Sequence, residues 1–266
     1  MTSTSAAVGY TMAIWRCRYF WLSLVKKDLR TRYRRSILGV GWSLLHPIAM
    51  TTVICLVFHK LFDMDVAAYG PFLLSGITTW TYLSTTITQG CETFYTGESY
   101  IRQYPAPLAI YPLRTVLGAA FHFVLALGVV LALTWWFKGF GNLAAIVTLV
   151  PTLILFIVLG WSLSVMAGFA HVRFSDVKHL LEIGLQITFY ATPIFVPPDM
   201  MKQRGLAWLI DYNPVGVLID LIRQPVLNGN FPTLRAWTFA AAITGLAFTV
   251  AVLMLVRLQR RLIFYL

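Results

Sequence analysis

The sequence is poor in charge, and poorest in acid. Only 10 of its 266 residues are Asp or Glu, and charged residues of both signs make up 12% of the chain. A soluble domain carries about 25%. Hydrophobic residues reach 58%. At this length one core cannot hide them, so many must face lipid rather than water. Cysteine is scarce too. Cys17, Cys55 and Cys91 are scattered and form no CxxC. That argues against a disulfide framework and a zinc site, and the three read as small buried or interfacial hydrophobes. No HExxH, GxSxG, Asp-rich metal pair or Gly-rich phosphate loop occurs. The chain is therefore read as a non-enzyme with no catalytic residue, no metal site and no cofactor of its own. The first apolar stretch is broken by Arg16 and Arg18 and has no small-residue cleavage site, so no cleavable signal peptide is expected. The net charge of +11 does not indicate nucleic acid, because no soluble basic domain carries it.

What is present is a series of long apolar runs. About 20 apolar residues cross the hydrocarbon core of a bilayer. Six candidates meet that need: roughly Ile37–Phe62, Pro71–Phe94, Leu113–Phe137, Leu143–Ala170, Leu180–Val196 and Ala236–Val256. Pro151 is expected to kink the fourth or delay its start. The expected fold is all-α and membrane-integral, with six transmembrane helices. Residues 1–36 form a cytoplasmic tail and an amphipathic interface helix, and residues 37–266 form the transmembrane domain. Within that domain, 95–112 is a cytoplasmic loop and 197–234 an outer helical hairpin with re-entrant or gate helices. The hairpin holds LAWLI (Leu206–Ile210) and VGVLIDLI (Val215–Ile222), separated by Asn213-Pro214, which predicts two short amphipathic helices broken at that dipeptide.

Orientation follows the positive charges. With six spans, the segment before the first span, the second and fourth loops and the tail hold fifteen of the 21 Lys and Arg residues. Lys60, Lys138, Lys202, Arg204, Arg223 and Arg235 fall on the other side. Both termini are therefore expected in the cytoplasm.

Several polar features have plain readings. LLSGI (Leu73–Ile77) is read as small-residue packing, since no Walker motif accompanies it. His171, Asp176 and His179 read as a solvated loop. His46 beside Pro47 is expected to bond a carbonyl freed by the proline. Glu182 and Gln186, spaced i, i+4, share one face of the fifth span, at an interfacial or a channel position.

Three segments point to transport. The stretch Lys26–Pro47, KKDLRTRYRRSILGVGWSLLHP, starts densely basic and turns apolar at Ile37. A basic amphipathic helix before a first span lies in the membrane interface, with its cations near anionic headgroups. Lys26, Lys27, Arg30, Arg32, Arg34 and Arg35 are the candidate headgroup and interface residues, and a planar guanidinium suits phosphate. The loop Glu92–Val116 predicts a short helix around 96–103, followed by an extended stretch imposed by Pro105 and Pro107. Aromatic residues make up 15% of the chain. Trp42, Trp80, Tyr82, Phe189, Tyr190 and Phe195 are candidates for a channel lining, because aromatic faces stack on sugar rings. As a class, such aromatics also form interfacial belts.

The block RYRRSILGVGWSLLHP resembles the segment that leads into the first span of the membrane subunit of bacterial ABC exporters for polysaccharides, of the O-antigen, teichoic-acid and capsule type. The loop residues Tyr100, Ile101, Arg102, Tyr104, Pro105, Pro112 and Leu113, the YATPIF run (Tyr190–Phe195), Asn213-Pro214 and the RRLIFYL tail are similar to that family more loosely. Tyr stands where the family's loop usually has Leu, and the Arg-to-Pro spacing is shorter.

The resemblance implies a homodimer in the bacterial inner membrane with two separate ATP-binding-cassette ATPase subunits, which carry the ATP and Mg. It implies a coupling helix over Thr96, Gly97, Glu98, Ser99, Tyr100, Ile101 and Arg102. It also implies a channel between the two copies, through which a lipid-linked, O-antigen-like polysaccharide crosses. Capsule, teichoic acid, or a small lipid or drug is the alternative cargo. A membrane enzyme would need converging acids or histidines at one face, and a secondary transporter would need charges at mid-membrane. The spans offer almost none.

Overall fold

The computed structural model describes residues 12–61, 64–103, 106–206, 208, 210 and 213–262, with Arg260 and Arg261 as backbone only. The described residues are mostly helical, with no strand among them. The elements are α1 (Arg18–Arg32), α2 (Gly41–Phe58), α3 (Val66–Cys91), α4 (Thr93–Gln103), α5 (Ile110–Lys138), α6 (Leu143–Ile146), α7 (Leu149–Arg173), α8 (Val177–Ala191), α9 (Pro198–Gln203), α10 (Pro214–Leu227) and α11 (Leu234–Leu262).

Among the described residues, four stretches are long and apolar enough to cross a membrane: Gly41–Phe58, Ile110–Lys138, Leu143–Arg173 and Leu234–Gln259. Six were expected. The other two, α3 and α8, differ from these for different reasons. At 26 residues, α3 is about 39 Å long at 1.5 Å per residue. Its hydroxyl-rich second half, TTWTYLSTTITQ, lowers its hydropathy. At 15 residues, α8 reaches about 22 Å, short of the roughly 30 Å hydrocarbon core.

The fold is arranged around α3. It packs most extensively on α5 and α7, and also touches α2, α8 and α10. A polar helix is stable there because its hydroxyls bond to its own turn: Thr79 donates to the Ser75 carbonyl (2.8 Å) and Thr86 to that of Leu83 (2.8 Å). Small residues let α3 and α7 approach closely. A Cβ on Gly90 would lie 2.7 Å from the Ser164 Cα. The principal core joins Tyr82, Phe123 and Phe156 from α3, α5 and α7, with the Phe123 and Phe156 rings stacked 5.6 Å apart. By contrast, α8 buries no residue. Its apolar Leu180, Ile183, Ile187 and Tyr190 are open.

Helix ends follow local chemistry. The expected late start at Pro151 takes the form of a break at Val147-Thr148 between α6 and α7. Pro151 has no N–H to bond the Val147 carbonyl, and Asn142 caps α6 by accepting from Ala144 N (3.0 Å). Arg35, at φ 66 in the left-handed region, and Gly39, at φ 50, turn the chain from α1 into α2. Of the LAWLI segment, residues 207 and 209 lie outside the described residues, as do Phe62, Tyr104, Pro105 and the last four residues of the tail.

Candidate transport path and coupling surface

At the basic end of the bundle, α1 is tied to two neighbours. Its Asp28 carboxylate takes both Nε and Nη2 of Arg114 on α5, a two-point pair that fixes orientation as well as distance. Lys27 Nζ donates to the Tyr100 hydroxyl on α4 (2.8 Å), and the Phe20 and Tyr100 rings meet edge-on at 5.9 Å. The expected helix in the 95–112 loop is α4, and it starts three residues earlier than predicted. Its buried face is Thr93, Phe94 and Gly97. Phe94 packs on Phe169 of α7. Gly97 sits under Tyr111, where a Cβ would come within 2.5 Å of the ring. Thr96, Ser99 and Arg102 are open, Arg102 paired to Glu98 at 2.8 Å, while Tyr100 and Ile101 are half-buried. At the start of α8, Lys178 pairs with Glu92 between α3 and α4.

Beside these helices runs a polar groove. A cavity of about 370 Å³ at the basic end and one of about 220 Å³ deeper in the bundle share Arg32, Gln89 and His122. The outer cavity reaches Asp28, Arg114 and Glu92. The inner one lies between α2, α3 and α5, lined by Trp42, His46, Thr78, Thr81 and Thr85. Thr78, Thr81, Thr85 and Gln89 follow i, i+3, i+7, i+11 spacing, which sets them on one face of α3. His122 is held at the groove by the Tyr33 hydroxyl, 3.3 Å from its ring nitrogens.

At the other end, α10 carries a buried cation. Arg223 is 4% exposed. It donates to the carbonyls of Pro193 (2.8 Å), Ile194 (3.2 Å) and Phe72 (3.1 Å) and to Ser75 Oγ (3.3 Å). Its guanidinium lies 3.6 Å from the Phe72 ring centroid. Burial pulls its pKa down to about 9, partly offset by Asp220 one turn back, so it is charged at neutral pH. Gly76 makes the room, since a Cβ there would be 2.6 Å from Arg223 Nη2. Asn213 anchors the same region. Its Oδ1 caps α10 by accepting from Val215 N (2.9 Å) and Gly216 N (3.3 Å), and its Nδ2 donates to Ala191 O (3.1 Å) and Thr192 Oγ1 (2.9 Å). Tyr69 adds a bond to the Phe195 carbonyl at 2.9 Å.

The predicted aromatics fall in three different places. Trp42 is 54% exposed on the groove. Trp80, Phe189 and Phe195 form one cluster, with Trp80–Phe189 at 5.4 Å and Phe189–Phe195 at 4.9 Å. Tyr190 is 69% exposed beside it. Tyr82 is 2% exposed, and its hydroxyl donates to the Phe156 carbonyl (2.8 Å), which makes it chiefly a core residue. The basic residues Lys26, Lys27, Arg30, Arg32, Arg34 and Arg35 are all exposed along α1 and the turn after it. Sequence reasoning missed the Arg223 clamp, the Asp28–Arg114 pair and the groove. The signals were one Arg inside an apolar amphipathic segment and a threonine row at helical spacing in an otherwise apolar span.

A model of the "ABC-2 type transporter" family matches residues 19–227. The chain is similar to "O-antigen export system permease protein RfbA" of Klebsiella pneumoniae, 24% identical over 84% of this chain and 88% of that protein. It is similar to the protein of the same name from Myxococcus xanthus, 25% identical over 87% and 89%. It is also similar to "Polysialic acid transport protein KpsM" of Escherichia coli, 22% identical over 78% and 81%.

Proposed function

The chain belongs to the ABC-2 type transporter membrane family, and from that premise we propose that it is the transmembrane subunit of an ATP-driven exporter that moves a lipid-linked, O-antigen-like polysaccharide across the bacterial inner membrane. The observation that carries the reading is likeness along nearly the full length to permeases named for O-antigen export. The similarity to a polysialic acid transport protein keeps capsule-type glycans as the second cargo class.

In this reading the six spans are α2, α3, α5, the α6–α7 segment, α8 and α11, with both termini cytoplasmic. The length of α3 supports its place as a span in spite of its hydroxyls. The asymmetry of Lys and Arg supports the orientation. Two copies assemble with two ATPase subunits, which bind ATP and Mg and hydrolyse it. The open apolar surface of α8 supports a role at the junction of the copies, where Trp80, Phe189, Tyr190 and Phe195 line a channel for sugar rings. Trp42, on the groove between α2, α3 and α5, and Tyr82, in the core, stand apart from that cluster.

Coupling runs through α4. Its buried face anchors it to α5 and α7, so a push on Thr96, Ser99 and Arg102 moves the bundle rather than a loose loop. The Lys27–Tyr100 contact carries that push to α1, whose basic residues meet the anionic headgroup of the lipid carrier. Membrane lipid is the other partner of α1.

Co-purification from native membranes, followed by an ATPase assay, tests this. A stoichiometric Walker-motif partner is expected, and Arg102→Glu is expected to weaken ATPase stimulation without loss of the fold. A chain that purifies with no such partner overturns the reading. Arg34→Glu with Arg35→Glu is expected to impair export while leaving dimer assembly intact.

A further inference from the structure

We propose that the inner part of the groove between α2, α3 and α5 is a saccharide-binding site held within a single copy of the chain, distinct from the channel between copies. The inference rests on the exporter reading above and deepens it. None of the groove's lining comes from α8, which carries Phe189 and Tyr190.

The first observation is a hydroxyl without a partner. Thr79, Thr86 and Thr88 on α3 return their hydroxyls to the preceding turn, at 2.8, 2.8 and 2.9 Å. Thr78 Oγ1 does not. It is buried, the residue being 3% exposed, and has no hydrogen-bond partner among the described residues. It lines the inner cavity. A buried hydroxyl left unpaired costs about 1–3 kcal/mol, a cost that a bound hydroxyl would remove.

The second observation is the shape of the row. Thr81, Thr85 and Gln89 continue from Thr78 along one face of α3, and every side chain in it both donates and accepts. A pyranose presents hydroxyls of the same two-way character around its rim. Trp42 stands across the cavity on α2, and an indole face is a platform for the C–H face of a sugar.

The third observation is size and charge. About 220 Å³ equals the share of about seven liquid waters at ~30 Å³ each, room for one sugar ring rather than a folded chain. The inner lining carries no acid. Its one permanent charge is Arg32 at the junction with the outer cavity, beside the basic face of α1. A neutral polyol suits this lining better than a metal ion or an acyl tail. An ion needs several converging ligands, whereas His46 and His122 are the only His, Cys, Asp or Glu in the inner lining, and no group of three such residues that could hold an ion occurs among the described residues. An acyl tail leaves the hydroxyls dry.

The test uses the assembled exporter in inverted membrane vesicles. Thr81→Cys and Thr85→Cys are labelled with a small water-soluble methanethiosulfonate, against a wild-type control for Cys17, Cys55 and Cys91. Vesicles come either from cells that make the lipid-linked glycan or from cells blocked in its synthesis. Both positions are expected to label, at a rate lowered by about threefold or more where the glycan is present. Equal rates in the two vesicle types, or no labelling in either, would overturn the site.

Thr78→Val gives an independent reading. It removes the unpaired hydroxyl, so the glycan-free protein should melt at a higher temperature while glycan protection of Thr85→Cys weakens. Thr78→Ser should keep protection. A Thr78→Val protein with unchanged protection sinks the proposal. Surface glycan is followed in the same cells. Export that persists without this chain removes the exporter reading and the site with it. Export that depends on the chain, with equal labelling rates, removes the site alone.

Discussion

Replacing Arg223 is the sharpest test of how the α10 end is held. Arg223→Met keeps an unbranched apolar stem out to about the Nε position and removes every donor. The carbonyls of Pro193 and Ile194 lose the bonds at 2.8 and 3.2 Å, and each buried acceptor left unpaired costs about 1–3 kcal/mol. The guanidinium contact with Phe72 at 3.6 Å is lost as well, and a desolvated cation–π pair is worth about 2 kcal/mol. Against this, methionine avoids the desolvation of a buried cation, several kcal/mol. The acceptors are backbone and cannot be exchanged for apolar groups, so the balance remains a loss of about 2–4 kcal/mol. At roughly 2–4 °C per kcal/mol for a chain of this size, the melting temperature of the purified protein in detergent should fall by about 5–15 °C. Arg223→Lys should fall between the two, because one ammonium cannot reach four acceptors held in a fork. Gly76→Ala should be costly with Arg223 present, since its Cβ would sit 2.6 Å from Nη2, and much cheaper in the Arg223→Met background, a coupling of 1 kcal/mol or more. If Arg223→Met melts at or above the wild-type temperature, or if the two substitutions add, the clamp is not what holds α10 against α3 and the end of α8.

Asn213→Ala should cost about 1–2 kcal/mol for the lost helix cap, with Asn213→Asp less harmful because it keeps the accepting oxygen. Thermal unfolding of the two variants side by side checks the order. Asp28→Ala removes the acceptor of two Arg114 donors and should release α1 from α5 at a cost of about 1–3 kcal/mol. The readout is faster proteolysis near Arg30, and an unchanged cleavage rate would mean that α1 is held by packing alone. Gly97→Ala should push α4 off Tyr111 and cost about 1–3 kcal/mol, lowering ATPase coupling while the exposed Arg102 stays in place. Full coupling in that variant would mean that the seat of α4 is not needed.

Much of the fold was legible because lipid imposes a simple rule. Long apolar runs become helices, and bounds such as Ile110–Lys138 lie within a few residues of the predicted Leu113–Phe137. The proline delay before α7, the short helix at Thr93–Gln103 and the start of α10 at Pro214 were also readable, since proline and asparagine act on the backbone next to them. The exposure of the α1 cations followed from their density alone.

Local pattern therefore settles the class of the molecule: which stretches are helical, which ends are basic, and that the chain resembles polysaccharide-exporter permeases. Tertiary structure decided everything that depends on which faces meet. The threonine row of α3 looks like ordinary span packing until α2 and α5 leave space beside it. Tyr82 and Tyr190 look alike as span aromatics, yet one is packed on Phe123 and Phe156 of α5 and α7 and the other stands open on α8. Arg223 looks like one of a few outer charges, but it is buried on carbonyls 29 to 151 residues away in sequence. Periodicity and composition are local, whereas a hydrogen bond between α10 and α3 exists only once the intervening helices have packed.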